Sequence, residues 1–242
     1  MIRFLRGGVT ISVFIIFGIG SLILGFIYIP ICSLVVKKDK KRQHLVNVIH
    51  KLWKGYIHFL QSLSLIKIEV NNFYEPKGKI IAASHPTLID ILILIALFPN
   101  SICLAKQKLM NNFFIGRIIK NVYITNDIDF NDFKHEADKA LKEGFNIIIF
   151  PTGTRTVKGD ILKIHKGCAM LQIFSGANIL PVKIDCNYPF LQKNMPVYDA
   201  SDKLITYNIT LLPEIKLSDF TKDSEIKLRK AISEKIKFDF SN

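Results

Sequence analysis

Residues 7–36 carry no charged side chain, and this run of 30 limits what the chain can become more than any other feature. About 20 apolar residues are enough to cross the hydrocarbon core of a bilayer. A cleaved leader has an apolar stretch of only about 7–15 residues and a small-residue cleavage site. The present run is longer and lacks such a site, and Ile31 before Cys32 argues against a lipoprotein leader. Pro30 with Gly18, Gly20 and Gly25 permits a kink, so a spanning and a half-inserted helix are both open. Arg3 and Arg6 precede the run, and Lys37, Lys38, Lys40, Lys41 and Arg42 follow it. The larger basic cluster belongs on the cytoplasmic side. That places the rest of the chain at the inner face of the cytoplasmic membrane, with the basic run against anionic headgroups.

The net charge of +13 divides into +6 for residues 1–42 and +7 for the remainder. A basic balance calls for an anionic partner. The membrane flank accounts for nearly half the excess and no nucleic-acid-binding motif is visible, so nucleic acid is not expected as a partner. With 49% hydrophobic residues the chain is too apolar for disorder and long enough for one substantial core. Cys32, Cys103, Cys168 and Cys186 form no CxxC pair and no zinc-ligand spacing, so a reducing compartment and no metal are expected. The expected division is a membrane anchor with basic flank over 1–42 and one domain over 43–242.

Apolar residues from Leu45 to Leu63 recur at spacings of three and four, which predicts a helix. A core and an interfacial position are both open for it, and Trp53 beside Lys51 and Lys54 mildly favours the interface. Strands are expected over 66–70, 79–84, 102–105, 122–125, 146–150, 179–184 and 204–212, and helices over 88–98, 131–142, 168–175 and 221–237. Alternating strands and helices predict an α/β fold, a mixed and largely parallel sheet covered by helices, beside the N-terminal membrane helix.

Two sites carry chemistry. In Ser84-His85-Pro86-Thr87-Leu88-Ile89-Asp90, His85 ends an apolar strand and Pro86 suits the first turn of the next helix. Asp90, one turn inside that helix, can reach back to the imidazole. Such a pair makes a general base, the carboxylate fixing tautomer and orientation, and the helix N-terminus can stabilise an oxyanion. The same pair would also serve as a plain helix cap. The second site is Phe150-Pro151-Thr152-Gly153-Thr154-Arg155-Thr156, a buried strand entering a hydroxyl-rich turn. Its backbone amides can form an anion nest and Arg155 adds a bidentate fork, although a turn with a surface Arg has the same sequence.

Together these sites resemble the glycerolipid acyltransferases of the 1-acylglycerol-3-phosphate (lysophosphatidate) acyltransferase type. The family's His-x4-Asp motif is His85 and Asp90, and its Phe-Pro-Glu-Gly-Thr-Arg motif is approximated by Phe150 to Arg155. A Pro-centred strand matches Leu180-Pro181-Val182, an Ala-Lys-x-Glu-Leu segment matches Ala105 to Leu109 with Phe113, Phe114 and Gly116 following, and a Lys-Gly pair matches Lys166-Gly167.

The resemblance implies acyl transfer from an acyl carrier protein or coenzyme A thioester to a hydroxyl of a membrane lipid. No cofactor or metal is implied. His85 and Asp90 would be catalytic, and Thr152, Gly153, Thr154, Arg155 and Lys166 would bind the acceptor. Thr152 stands where the family has Glu, and Asn126 stands where a second motif ends in Arg, with Arg117 or Lys120 as candidate substitutes. These departures point to a divergent subgroup with a less charged acceptor. A true 1-acylglycerol-3-phosphate acyltransferase and a non-catalytic, membrane-anchored lipid-binding protein are the alternatives.

Overall fold

The computed structural model describes residues 2–125, 129–157, 159, 161–188, 190–192, 195, 201–221 and 224–241. The apolar run forms α1 (Ile2–Ile23), a π-helical segment (Leu24–Tyr28) and α2 (Ile29–Val35). Then come α3 (Lys38–Ser62), β1 (Ile66–Asn71), β2 (Ile80–Ala83), α4 (Asp90–Leu97), β3 (Ser101–Ala105) and a 3-10 turn (Gln107–Asn111). They are followed by α5 (Gly116–Val122), β4 (Ile124–Thr125), α6 (Phe130–Lys142), β5 (Asn146–Ile149) and α7 (Gly167–Ser175). The chain continues through β6 (Ile179–Cys186), β7 (Ile205–Leu211) and α8 (Glu225–Ser241).

The seven strands form one sheet in the order β1-β7-β6-β2-β5-β3-β4. Every pairing is parallel except β6 with β7. The expected mixed, largely parallel α/β sheet is therefore what the chain builds. Strands β2 and β5 at its centre are buried along their whole length, as a sheet covered on both faces requires. Right-handed crossovers from β2 to β3 and from β3 to β4 put α4 and α5 on one face, and the reverse steps into β5 and β6 put α6 and α7 on the other. The packing agrees: α3 lies on α4 and α5, and α7 lies on α6 and α8.

Several boundaries differ from expectation. Helix α3 begins at Lys38, so the 42/43 division falls inside it and the basic run forms its first turns. Lys41 donates to Asn121 Oδ1 at 2.9 Å and Arg42 Nε to the Val122 carbonyl at 3.1 Å, so two of the five flanking cations bind the fold itself. Lys37, Lys38 and Lys40 remain exposed. Helix α4 starts at Asp90 rather than before it, because the Thr87 amide is taken by the Asp90 carboxylate and the Leu88 amide by the Leu191 carbonyl. Val122 belongs to α5, a helix absent from the sequence reading, and α8 starts four residues later than expected.

At the N-terminal edge of β2, Glu214 accepts from Lys79 Nζ at 2.9 Å, Tyr74 Oη at 2.7 Å and Asn178 Nδ2 at 2.6 Å. Burial opposes its charge, but the three donors outweigh that and hold the carboxyl below its ordinary value. A carboxyl depressed in the folded state adds stability above its unfolded pKa and loses it as pH falls through the folded value. The melting temperature of wild type should therefore fall more steeply below about pH 4.5 than that of Glu214→Gln. Parallel pH–melting curves for the two would show that this cluster contributes nothing.

Candidate active site

The site lies at the C-terminal ends of β2 and β5, where open α/β sheets place their ligands. Strand β6 prepares it. The Ser84 amide donates to the Val182 carbonyl at 3.0 Å, and Ser84 Oγ accepts from the Ile184 amide at 2.7 Å. The Pro-centred strand thus pins the residue immediately before His85, and Pro181 pairs with Ala82 in the register that permits it.

Asp90 is fully buried, and His85 keeps 16% of its side chain exposed. His85 Nδ1 lies 2.8 Å from Asp90 Oδ2. The same oxygen accepts from the Thr87 amide at 2.7 Å, and Oδ1 accepts from Thr87 Oγ1 at 2.5 Å. Tyr207, fully buried on β7, donates to Thr87 Oγ1 at 3.1 Å. A chain of hydrogen bonds therefore runs from Tyr207 through Thr87 and Asp90 to the imidazole. Burial pushes the Asp90 carboxyl above its ordinary value, and the bonds from His85 and Thr87 work against that rise. With Nδ1–H donated to the carboxylate, the Nε2 lone pair is the proton acceptor. Among the described residues Nε2 has no hydrogen-bond partner. The Phe150 ring stacks on the imidazole at 4.0 Å between centroids and 19° between planes, which fixes the remaining rotation.

The second sequence-predicted site is brought to the first. The Thr156 amide donates to the His85 carbonyl at 2.9 Å, so the turn from Phe150 to Thr156 wraps one side of the histidine. Thr152 is buried, and its hydroxyl donates to the Thr154 carbonyl at 2.9 Å inside the turn. Gly153 has φ +66°, a conformation that demands glycine, and a Cβ there would sit tightly, 3.2 Å from the His165 ring. The His165 amide donates to the Pro151 carbonyl at 2.8 Å, which brings the exposed Lys166 to the same turn.

Arg155 departs from expectation. Its Nη1 donates to the Leu191 and Gln192 carbonyls at 2.7 and 3.1 Å, so this nitrogen holds the loop after β6. The amides of Thr87 and Leu88 are likewise consumed within the fold and are not oxyanion donors. Thr87 and Tyr207 escaped the sequence reading. Thr87 carried a signal, a hydroxyl residue three before an Asp at a helix start. Tyr207 carried only the general need of a buried phenol for a partner. Asn126 lies outside the described residues.

The acyltransferase family model matches residues 66–185, a stretch that contains the buried His85–Asp90 pair at the end of a central strand. Residues 66–185 thus form an acyltransferase-family domain, and the chain is similar to proteins of the lysophosphatidate acyltransferase type. It is 28% identical to the 1-acyl-sn-glycerol-3-phosphate acyltransferase of Borreliella burgdorferi over 172 residues, 69% of this chain and 68% of that protein. It is 29% identical to the Helicobacter pylori protein of the same name over 153 residues, 60% of this chain and 64% of the relative. The chain thus spans about two thirds of these curated relatives. In fold it is similar to the 1-acyl-sn-glycerophosphate (LPA) acyltransferase PlsC of Thermotoga maritima, with a TM-score of 0.68, 22% identity and coverage of 99% of this chain and 97% of that one.

Asp90→Asn keeps the shape of the buried carboxyl and removes its charge. A carboxyl raised in the folded state costs stability as pH rises through its folded pKa. The melting temperature of Asp90→Asn minus that of wild type should therefore grow from pH 4 to pH 8. A gain of about 1 kcal/mol would appear as about 2–4 °C. A difference that shrinks over this range would mean that the ionised carboxylate is net stabilising.

Proposed function

We propose that this chain transfers a fatty acyl group from a thioester, carried by an acyl carrier protein or coenzyme A, to a hydroxyl of a lysophospholipid-class acceptor. The carrying observation is the His85–Asp90 pair at a strand end inside the segment that the acyltransferase family model matches. His85 Nε2 takes the acceptor hydroxyl proton while Asp90 stabilises the imidazolium. The acceptor oxygen attacks the thioester carbonyl, the C–S bond breaks, and the leaving thiolate takes the proton from His85. Tyr207 and Thr87 act through Asp90 as positioning residues.

Lysophosphatidate is the acceptor class that the relatives' names support. A second reading, a less charged headgroup, is favoured by one observation: Arg155 Nη1 is committed to main-chain carbonyls, and Thr152 replaces a carboxylate. In this reading Thr152, Gly153, Thr154, Arg155 and Lys166 line the acceptor's polar end.

The membrane anchor is read as monotopic. The helix from Arg6 to Val35 has a mean hydropathy of 2.4 and is long and apolar enough to cross a bilayer. It is held along its length, however. Arg6 donates to the Ser64 carbonyl at 3.0 Å, Tyr56 Oη to Val13 at 3.1 Å, Phe17 stacks on Trp53, and Tyr28 Oη meets His44 Nε2 at 2.9 Å. A perpendicular crossing would drag the exposed Lys51, Lys54 and His58 of α3 into hydrocarbon. A half-inserted helix leaves them at the headgroups. Residues 43–242 then face the cytoplasm.

His85→Ala should lose at least about 10²–10⁴ in turnover. Tyr207→Phe should lose about tenfold in kcat, the worth of roughly one hydrogen bond, with KM unchanged. Near-normal turnover of His85→Ala would remove the mechanism. Wild type assayed on lysophosphatidate beside neutral and carboxylated lipid alcohols decides between the two acceptor readings.

Engineered Gly8→Cys and Lys38→Cys should both react with an impermeant maleimide only from the cytoplasmic side of the membrane. Labelling of Gly8→Cys from the outer side alone would mean that the helix spans.

A further inference from the structure

The segment after β3 leaves the sheet at the same edge as His85 and turns three large apolar side chains outward. Leu109, Phe113 and Phe114 are 37%, 66% and 45% exposed. The exposure is built into the loop. Asn112 Oδ1 accepts the Phe114 and Ile115 amides at 3.0 and 3.2 Å, and the Gly116 amide closes onto the Asn112 carbonyl at 2.8 Å. A Cβ on Gly116 would lie 2.3 Å from the Met110 carbonyl oxygen, so the loop is shut tightly on itself. Its polar groups are spent internally while its aromatic rings face away from the core.

Those rings join the apolar helix. Phe113 lies 5.7 Å from Phe26 between centroids, and the Arg117 guanidinium sits 4.2 Å over the Phe26 ring. Phe114 is 3.3 Å from the position a Cβ on Gly18 would take, and Gly25 meets Arg117 at 3.4 Å in the same way. Gly18 and Gly25, two helical turns apart, therefore admit this loop. On the helix beside them Ile15, Ile19, Ile23 and Ile27 are all more than half exposed. Lys106 and Lys108, both exposed, flank the aromatic tip.

We propose that Leu109–Phe114 is a second lipid-contact element, entering the interfacial layer of an anionic bilayer beside the N-terminal helix. Aromatic side chains prefer this depth, and Lys106, Lys108 and Arg117 sit where headgroup phosphates lie. The proposal rests on the reading of the N-terminal helix as a membrane anchor and deepens it. Because the loop leaves the same strand edge that carries His85, it holds this edge at the membrane. A lipid hydroxyl then reaches the imidazole without leaving the interface.

The test uses full-length protein with phosphatidylcholine–phosphatidylglycerol vesicles brominated on the acyl chains. Trp53 is the only tryptophan, so Phe113→Trp is made in a Trp53→Phe background. Leu109→Trp repeats the reading where packing differs. Phe73→Trp, 51% exposed at the opposite edge of the sheet, is the control. The expected result is that all three float with vesicles, that Phe113→Trp and Leu109→Trp shift to the blue and lose more than half their emission, and that Phe73→Trp does neither. Flotation with unquenched emission at both loop positions overturns the proposal and leaves the anchor standing. Failure to float overturns both.

Discussion

Everything at the site hangs on one buried carboxylate. Asp90 is fully enclosed, yet it serves two masters through one set of oxygens. It closes the turn from Thr87 by accepting that residue's amide and hydroxyl, and it holds His85 by Nδ1. An unpartnered carboxylate at this depth would shift toward its neutral form. The donors that favour its charge are therefore the same groups that shape the loop after β2. This coupling helps the chain hold a non-helical stretch between Pro86 and Ile89: the carboxylate accepts the Thr87 amide, which would otherwise be buried without a partner. It also explains the reach of the network across the sheet, since Tyr207 on β7 completes the hydroxyl that completes the carboxylate.

The sheet was legible because burial imprints itself on sequence. Runs such as Ile80–Ala83 and Asn146–Ile149 are apolar at every position, which only a strand covered on both faces needs. His85 and Asp90 were legible because only four residues separate them, so local geometry alone makes them neighbours. What escaped had a different cause. Tyr207 stands 120 residues from Thr87, and no local rule connects them. Helix α5 is seven residues long and carries no side-chain cap, a signal too short for periodicity to show. The α4 boundary was misjudged because Pro86 fits a first helical turn equally well as a free turn. The commitment of Arg155 Nη1 also escaped, because its carbonyl partners lie 36 and 37 residues away.

The N-terminal helix shows how composition and contacts divide the work. Hydropathy alone permits a span, and a basic flank alone permits either topology. The proposed monotopic reading rests on pairwise contacts: a tyrosine on α3 bonded to a backbone carbonyl of α1, a phenylalanine stacked on the one tryptophan, an arginine tying the helix start to the end of α3. None of these is visible as a pattern, because each joins residues far apart in the chain. They convert an apolar rod into one member of a helix pair whose other member is polar.

A lipid acyltransferase faces a geometric problem that soluble transferases do not. Its acceptor hydroxyl sits at the headgroup level, its acyl donor arrives from water, and its base must meet both. A strand-end histidine satisfies this only if the strand edge itself is held at the interface. An anchor at the far end of a long linker would leave that edge free to turn away. Here the helix is bonded to α3, α3 is packed on α4, and α4 starts at Asp90. In the proposed membrane-bound reading, the route from bilayer to base runs through these packed elements. Orientation on the membrane and orientation of the imidazole are then two consequences of one packed core.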